Sequence, residues 1–204
     1  MNSSLDKPGE VALLVVHGLS EYGTRYHEMA AVLRNRGIHV HLWDLPGHGK
    51  RRGEWPGGGA WFSSFIRETR AQVDLLRESH DRIALFGHSM GGTVVLRYLQ
   101  EYGLDGIDLI IVASPFFKPS GPLQAALFSS TSNIARLAPF FSVPGRNLAS
   151  ALTSDRAKQA EYRKDREILD HVPFSLFREL RTAGRELSRA SLAPSNKTLF
   201  CYGK

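Results

Sequence analysis

The sequence predicts an α/β protein with a doubly wound, mainly parallel sheet and a helical insertion in its C-terminal half. Three observations predict it. Short β-branched and apolar runs alternate with stretches whose apolar residues recur at steps of three and four. A glycine-rich hexapeptide, residues 87–92, joins one such run to one such stretch. A long segment, Ser114 to Asn196, carries no strand pattern, and a plain loop of that length is foreign to a compact domain.

Taken in order, the first strand is Val11–His17, an unbroken apolar run before a histidine. A helix over Tyr26–Arg36 follows, with Met29, Val32 and Leu33 on one side and Gly37 as its stop. Strand two is Ile38–Asp44, and a glycine-rich loop covers Leu45–Gly59. The next helix, about Phe62–Ser79, places Phe62, Phe65, Ile66, Thr69, Val73 and Leu76 on a single face. Strand three, Arg82–Gly87, turns sharply at Ser89 into a helix ending near Tyr102 with Gly103 as cap. Strand four is Leu109–Ala113, and the last strand is Lys197–Tyr202.

Between these last two strands the segment at about 115–196 reads as an inserted helical cap. Pro115, Pro119, Pro122, Pro139 and Pro144 open it and helical stretches follow. Its Phe116, Phe117, Phe128, Phe140 and Phe141 either line an apolar pocket or bury against the main domain.

The chain has 204 residues, 42% apolar and 23% charged, enough for one domain with a substantial core. A single cysteine, Cys201, excludes a disulfide-stapled scaffold. No apolar run reaches the ~20 residues of a membrane span, and Met1–Glu10 does not read as a signal peptide. These features fit a cytoplasmic protein. The net charge is +6, with Arg51-Arg52 and Arg163-Lys164-Arg166 the only dense spots. No nucleic-acid motif accompanies them, so no nucleic-acid partner is expected and most of the charge reads as solvated surface. Oligomeric state is not legible.

The chemistry concentrates in three stretches. Gly87-His88-Ser89-Met90-Gly91-Gly92 follows a strand and precedes a helix, the context of a nucleophile elbow. Such a turn holds its serine in a strained conformation with the hydroxyl outward, and small neighbours let strand and helix approach. The bland reading is a serine in an ordinary tight turn. His17-Gly18-Leu19 ends strand one. Acyl transfer needs two backbone N–H groups aimed at the developing oxyanion; Met90 supplies one and Leu19 the other. His17 itself reads as shaping the loop rather than as a base. In Asp44-Leu45-Pro46-Gly47-His48-Gly49, Asp44 precedes the serine, the wrong order for a catalytic acid, so Asp44 and His48 read as loop-shaping partners. Metal ligation by His17, His39, His41 and His48 is poorly spaced, and neither metal nor cofactor is expected.

The set resembles the α/β-hydrolase superfamily, and within it the monoacylglycerol lipase and lysophospholipase-like serine hydrolases. The carrying stretches are residues 17–26 (HGLSEYGTRY), 44–49 (DLPGHG) and 87–92 (GHSMGG), with weaker matches at Ala113-Ser114-Pro115 and Tyr162-Arg163-Lys164-Asp165. The resemblance covers Val11 to Lys204. It implies Ser89 as nucleophile, Leu19 and Met90 as oxyanion-hole donors, and Gly18, Gly87, His88 and Gly91 as support. It also implies a small lipid ester as substrate, an acyl-enzyme mechanism, and an apolar tunnel under the cap. Peripheral membrane contact would suit an apolar cap with a basic surface. Two positions depart from the family: Lys50-Arg51-Arg52 replaces a frequent Arg-Ser pair, and Arg166 replaces a proline after the cap aspartate.

The family's catalytic acid comes shortly after the last strand seen here, and its histidine after one further strand. No histidine follows His171. The chain therefore reads as a piece of a longer hydrolase, short at its N-terminus too, with the last strand and helix of the fold absent. Two rival readings stay open: a non-catalytic binding protein of the same fold, and a carboxylesterase or thioesterase.

Overall fold

The computed structural model describes residues 11–56, 60–118, 141–145, 149, 153–190 and 197–202. Five strands form one parallel sheet: β1 (Val11–Val16), β2 (His39–Leu42), β3 (Arg82–His88), β4 (Leu109–Ala113) and β7 (Thr198–Cys201), in the order β2-β1-β3-β4-β7. The apolar runs become central strands because both faces are covered. Ala12, Leu14 and Val16 of β1 face the larger core cluster, and Leu13 and Val15 the smaller one. Helix α1 (His27–Arg34) covers the smaller side through Ala30, Met29 and Leu33. Helices α2 (Trp61–Arg77), α3 (Met90–Tyr102) and α5 (Phe174–Arg189) cover the larger.

Elements depart from the sequence reading where side-chain contacts decide. The expected first helix begins as a 3₁₀ turn, Gly23–Tyr26, and becomes α-helical only at His27. Val32 is 56% exposed, because Ala30 rather than Val32 fills the place beside Met29 and Leu33. Gly37 does end the segment, with φ 78°. Helix α2 starts at Trp61, one residue early. There the indole N–H donates to Ser175 Oγ at 3.0 Å, and the Glu179 carboxylate accepts from Phe62 N–H at 2.9 Å. A side chain of α5 thus supplies the N-terminal cap that α2's own sequence lacks. Burial pushes the Glu179 carboxyl up from its ordinary value.

Among the described residues, the stretch expected to lack strands contains two. β5 (Ser142–Pro144) and β6 (His171–Pro173) pair antiparallel over three residues each. Between them lies α4 (Arg156–Lys164), capped by Asp155, whose carboxylate accepts from Ala157 N–H and Lys158 N–H at 2.8 and 3.2 Å. Helix α5 also falls within the expected insertion, yet Leu176, Phe177, Leu180, Ala183 and Leu187 join the same core as α2 and α3. Phe116 and Phe117 pack against that core, while Phe141 is 63% exposed. Phe128 and Phe140 lie outside the described residues. Among the described residues no helix is long and apolar enough to cross a membrane.

Candidate active site

Chain order reverses between β1 and β3, since β2 lies on one side of β1 and β3 on the other. In parallel sheets such a point leaves a crevice beyond the carboxyl ends of the strands. The parallel register sets Val16 opposite Gly87, so the residues that follow β1 and β3 meet there.

Ser89 sits at the turn from β3 into α3 with φ 50° and ψ −115°, a left-handed conformation costing an ordinary residue ~1–3 kcal/mol. Backbone bonds hold it: Ser89 N–H donates to Ala113 O at 2.9 Å, and Ser89 O accepts from Thr93 N–H and Phe116 N–H at 3.2 Å each. The turn leaves no room beside it. A Cβ on Gly87 would lie 2.6 Å from Gly91 O, and one on Gly91 would run into Val16 O and His17 O. The two glycines therefore let α3 press against the ends of β3 and β1. Met90 opens α3, where first-turn N–H groups have no partner within the helix and carry the positive end of its dipole.

The loop after β1 packs against this turn. A Cβ on Gly18 would sit 2.8 Å from Glu21 Oε2 and 3.3 Å from His88 Nδ1. Glu21 is the organising group, and the sequence reading did not single it out. Its Oε2 accepts from Gly18 N–H at 3.0 Å and from Tyr26 OH at 2.8 Å. His88 Nδ1 lies 3.2 Å from the same oxygen and 3.0 Å from the Tyr26 oxygen. Since Tyr26 gives its proton to Glu21, His88 Nδ1 acts as a donor. Burial pushes the Glu21 carboxyl up, but the hydrogen bond and charge of His88, with the bond from Tyr26, outweigh it and bring it down to about 2. The residue before the serine and the residue before Leu19 are thus tied to one carboxylate. An acid three residues after Gly18 was the available signal.

His17 is fully buried with both nitrogens engaged: Nδ1–H donates to Gly18 O at 2.9 Å, and Nε2 accepts from Leu45 N–H at 3.0 Å. Burial lowers its pKa. It has no free lone pair for a serine proton and instead links the two loops. Asp44 and His48 were expected to shape their loop, and the structure binds each of them to backbone. Asp44 accepts from Gly23 N–H at 2.8 Å and Lys50 N–H at 2.9 Å, pinning the turn that the Lys50-Arg51-Arg52 departure occupies. His48 Nδ1 reaches Pro46 O at 3.1 Å, and burial followed by the neighbouring His17 holds its pKa down to about 3. His39 instead packs tilted against His80, with ring centroids 4.7 Å apart, and His41 Nε2 meets Gln72 Oε1 at 2.8 Å. Among the described residues no cluster of three or more His, Cys, Asp or Glu could hold a metal. Nor does any described side chain hydrogen-bond the Ser89 hydroxyl, and His171 lies on β6 with an exposed ring.

Comparison with known proteins gives a consistent set. The chain is 31% identical over 159 residues to phospholipase YtpA of Bacillus subtilis, covering 76% of this chain and 58% of that protein. It is 26% identical over 196 residues to a monoacylglycerol lipase of Mycolicibacterium smegmatis, covering 94% and 68%. The chain thus spans roughly three-fifths to two-thirds of the length of these relatives. The fold matches the crystal structure of the Paleococcus ferrophilus monoacylglycerol lipase, with TM-score 0.76, 22% identity, and coverage of 94% of this chain and 72% of that one. The sequence profile of the serine aminopeptidase, S33, family matches residues 8–204, and the chain belongs to that family of α/β-hydrolases.

Proposed function

We propose that this chain carries the nucleophile and oxyanion half of a serine hydrolase acting on a monoacylglycerol or lysophospholipid ester. The observation that carries the reading is Ser89, held at positive φ where β3 meets α3, with the residue 17–19 loop packed beside it. The names of the relatives, a phospholipase and a monoacylglycerol lipase, support the substrate class.

In this reading Ser89 Oγ attacks the ester carbonyl while a histidine takes its proton. Leu19 N–H and Met90 N–H receive the negative oxygen of the tetrahedral intermediate. The intermediate collapses, the histidine's proton leaves with the alcohol, and water then releases the fatty acid from the acyl-enzyme. No described residue serves as that histidine or its acid. We assign the acyl-chain cover to the stretch around α4, because Leu169, Val172 and α5 belong to the main core while Tyr162 of α4 packs in a separate cluster with Ile168 and Ala149.

A second reading, a binding protein that keeps the elbow, is favoured by the absence, among the described residues, of an imidazole hydrogen-bonded to the Ser89 hydroxyl. Fluorophosphonate labelling and monoacylglycerol hydrolysis, each with Ser89→Ala as control, test both. Labelling and turnover lost in Ser89→Ala support the hydrolase. Equal labelling of both proteins, or hydrolysis surviving the substitution, refutes it. A folded wild type that neither labels nor turns over even with a histidine and an acid supplied supports the binder. Profiling acyl length and leaving group separates a lipase from a carboxylesterase or thioesterase.

A further inference from the structure

The two dense basic runs of the sequence lie over a hundred residues apart, yet the fold joins them. Arg52 Nη2 donates to Arg166 O at 3.2 Å, bringing the loop after β2 against the turn after α4. Lys50, Arg52, Arg163, Lys164 and Arg166 are all exposed. Arg51 is not part of this surplus, since Glu54 and Glu68 pair with it at 2.6 and 3.3 Å. Among the described residues Glu167 is the acid that pairs with these cations, 3.7 Å from Arg52 in a half-exposed pair of the kind that is worth little, while the Asp44 carboxylate is held by the Lys50 backbone N–H. Lys50, Lys164 and Arg166 form no ion pair with a described residue.

Aromatic surface adjoins these cations. The Trp55 side chain, 48% exposed, is fixed to the same turn by Nε1–H donating to Arg52 O at 2.7 Å. Its ring meets Trp61 edge-on at 5.5 Å, and Trp61 is bonded to Ser175. The exposed Phe141 lies against Phe174, next to Ser175, at 6.4 Å. Cations flanking an exposed indole match the interfacial zone of a bilayer, where tryptophan settles and basic side chains meet anionic headgroups. A single-stranded nucleic acid would need a row of stacking faces along a basic groove. The Trp55 ring turned edge-on to Trp61 offers no such row among the described residues.

We infer that Arg52, Lys164, Arg166 and Trp55 form a docking surface for an anionic lipid membrane. The surface flanks the carboxyl end of the sheet, the end that carries Ser89, because Lys50 N–H is bound to Asp44 just beyond β2. Docking there presents the crevice to the bilayer. It rests on charge and exposure alone, so it holds whether or not Ser89 is a nucleophile.

The test is pelleting of the chain with vesicles of phosphatidylcholine alone or mixed with phosphatidylglycerol. Binding is expected only to the mixed vesicles, and it weakens as salt shortens the ~10 Å screening length at 0.1 M. Each basic side chain near such a surface is worth about fivefold in partitioning. The triple variant Arg52→Gln/Lys164→Gln/Arg166→Gln should therefore bind about 100-fold more weakly. Arg36→Gln/Arg82→Gln/Arg189→Gln removes the same charge from the amino end of the strands and should cost less than about fivefold. If the first triple fails to fold, Lys164→Gln and Arg166→Gln are measured singly, each at about fivefold. Ser89→Ala should bind as wild type does. Equal binding to both vesicle types, equal losses in the two triples, or tighter binding to single-stranded DNA than to the mixed vesicles would overturn the inference.

Discussion

Acidification is expected to destabilise this fold through His48. The ring is fully buried, its Nε2 has no hydrogen-bond partner among the described residues, and the His17 ring stands 5.1 Å away. Burial, and then His17, hold its pKa at about 3 against an ordinary 6.5. The depressed value sets the sign. The unfolded chain takes up a proton near its ordinary pKa, while the folded chain refuses it until about pH 3. The stability is complete above the ordinary value and is lost as pH falls between the two. One proton of difference is worth ~1.4 kcal/mol per pH unit, so moving from about pH 7.5 to about pH 5 removes about 2 kcal/mol through this ring. His17, also lowered by burial, adds in the same direction, whereas Glu179, raised by burial, opposes it. The assay is accordingly a difference: urea unfolding at both pH values for wild type and His48→Phe. Phenylalanine keeps a ring of similar size beside Phe65, whose centroid is 5.9 Å from that of His48. The wild type should lose about 2 kcal/mol more than the variant. Equal losses would refute the claim that His48 is folded into the structure uncharged.

Other perturbations read out the site's construction. Glu21→Ala strands the donors of Gly18, Tyr26 and His88 in a buried place, and should cost about 3 kcal/mol in urea unfolding, with Glu21→Gln costing less. Gly91→Ala drives a methyl into the carbonyls of Val16 and His17 and should cost more than about 3 kcal/mol. Gly53→Ala meets open space and should stay within about 0.5 kcal/mol, which thermal melts of the pair would show. Asp155→Ala removes the acceptor for Ala157 and Lys158. It should weaken α4 by about 1 kcal/mol, seen as faster amide exchange over Arg156–Lys164 with the exchange of β1 unchanged.

Much of the fold was legible because its determinants are local. β4 begins and ends at the residues read from the sequence, since an apolar run bounded by Asp108 and Ser114 leaves little choice. The buried face of α2 is the one its spacing gives, Phe62 through Leu76. β5 and β6 were missed because each has three residues and includes a proline, so only the partner strand defines them. Helical stretches were expected within the insertion, but not which core α5 would join. That depended on Trp61 and Phe62, over a hundred residues earlier, meeting Ser175 and Glu179.

The site divides along the same line. An elbow announces itself because backbone sterics require glycine at fixed offsets from the serine, and Gly87 and Gly91 stand where a Cβ has no room. Side chains that act through space obey no such offset. Glu21 gathers Gly18, Tyr26 and His88, and only the fold brings the last of these within 3.2 Å. Residence in a strong motif does not confer a role in proton transfer either. His17 lies beside Gly18, yet Gly18 O and Leu45 N–H occupy both its nitrogens, while His48 spends Nδ1 on Pro46 O and lies where charge is penalised. A base for Ser89 needs an imidazole with a lone pair free and the freedom to become charged. His17 and His48 each fail one of these conditions, so in the reading of this chain as a hydrolase the base belongs to neither the 17–26 nor the 44–49 motif.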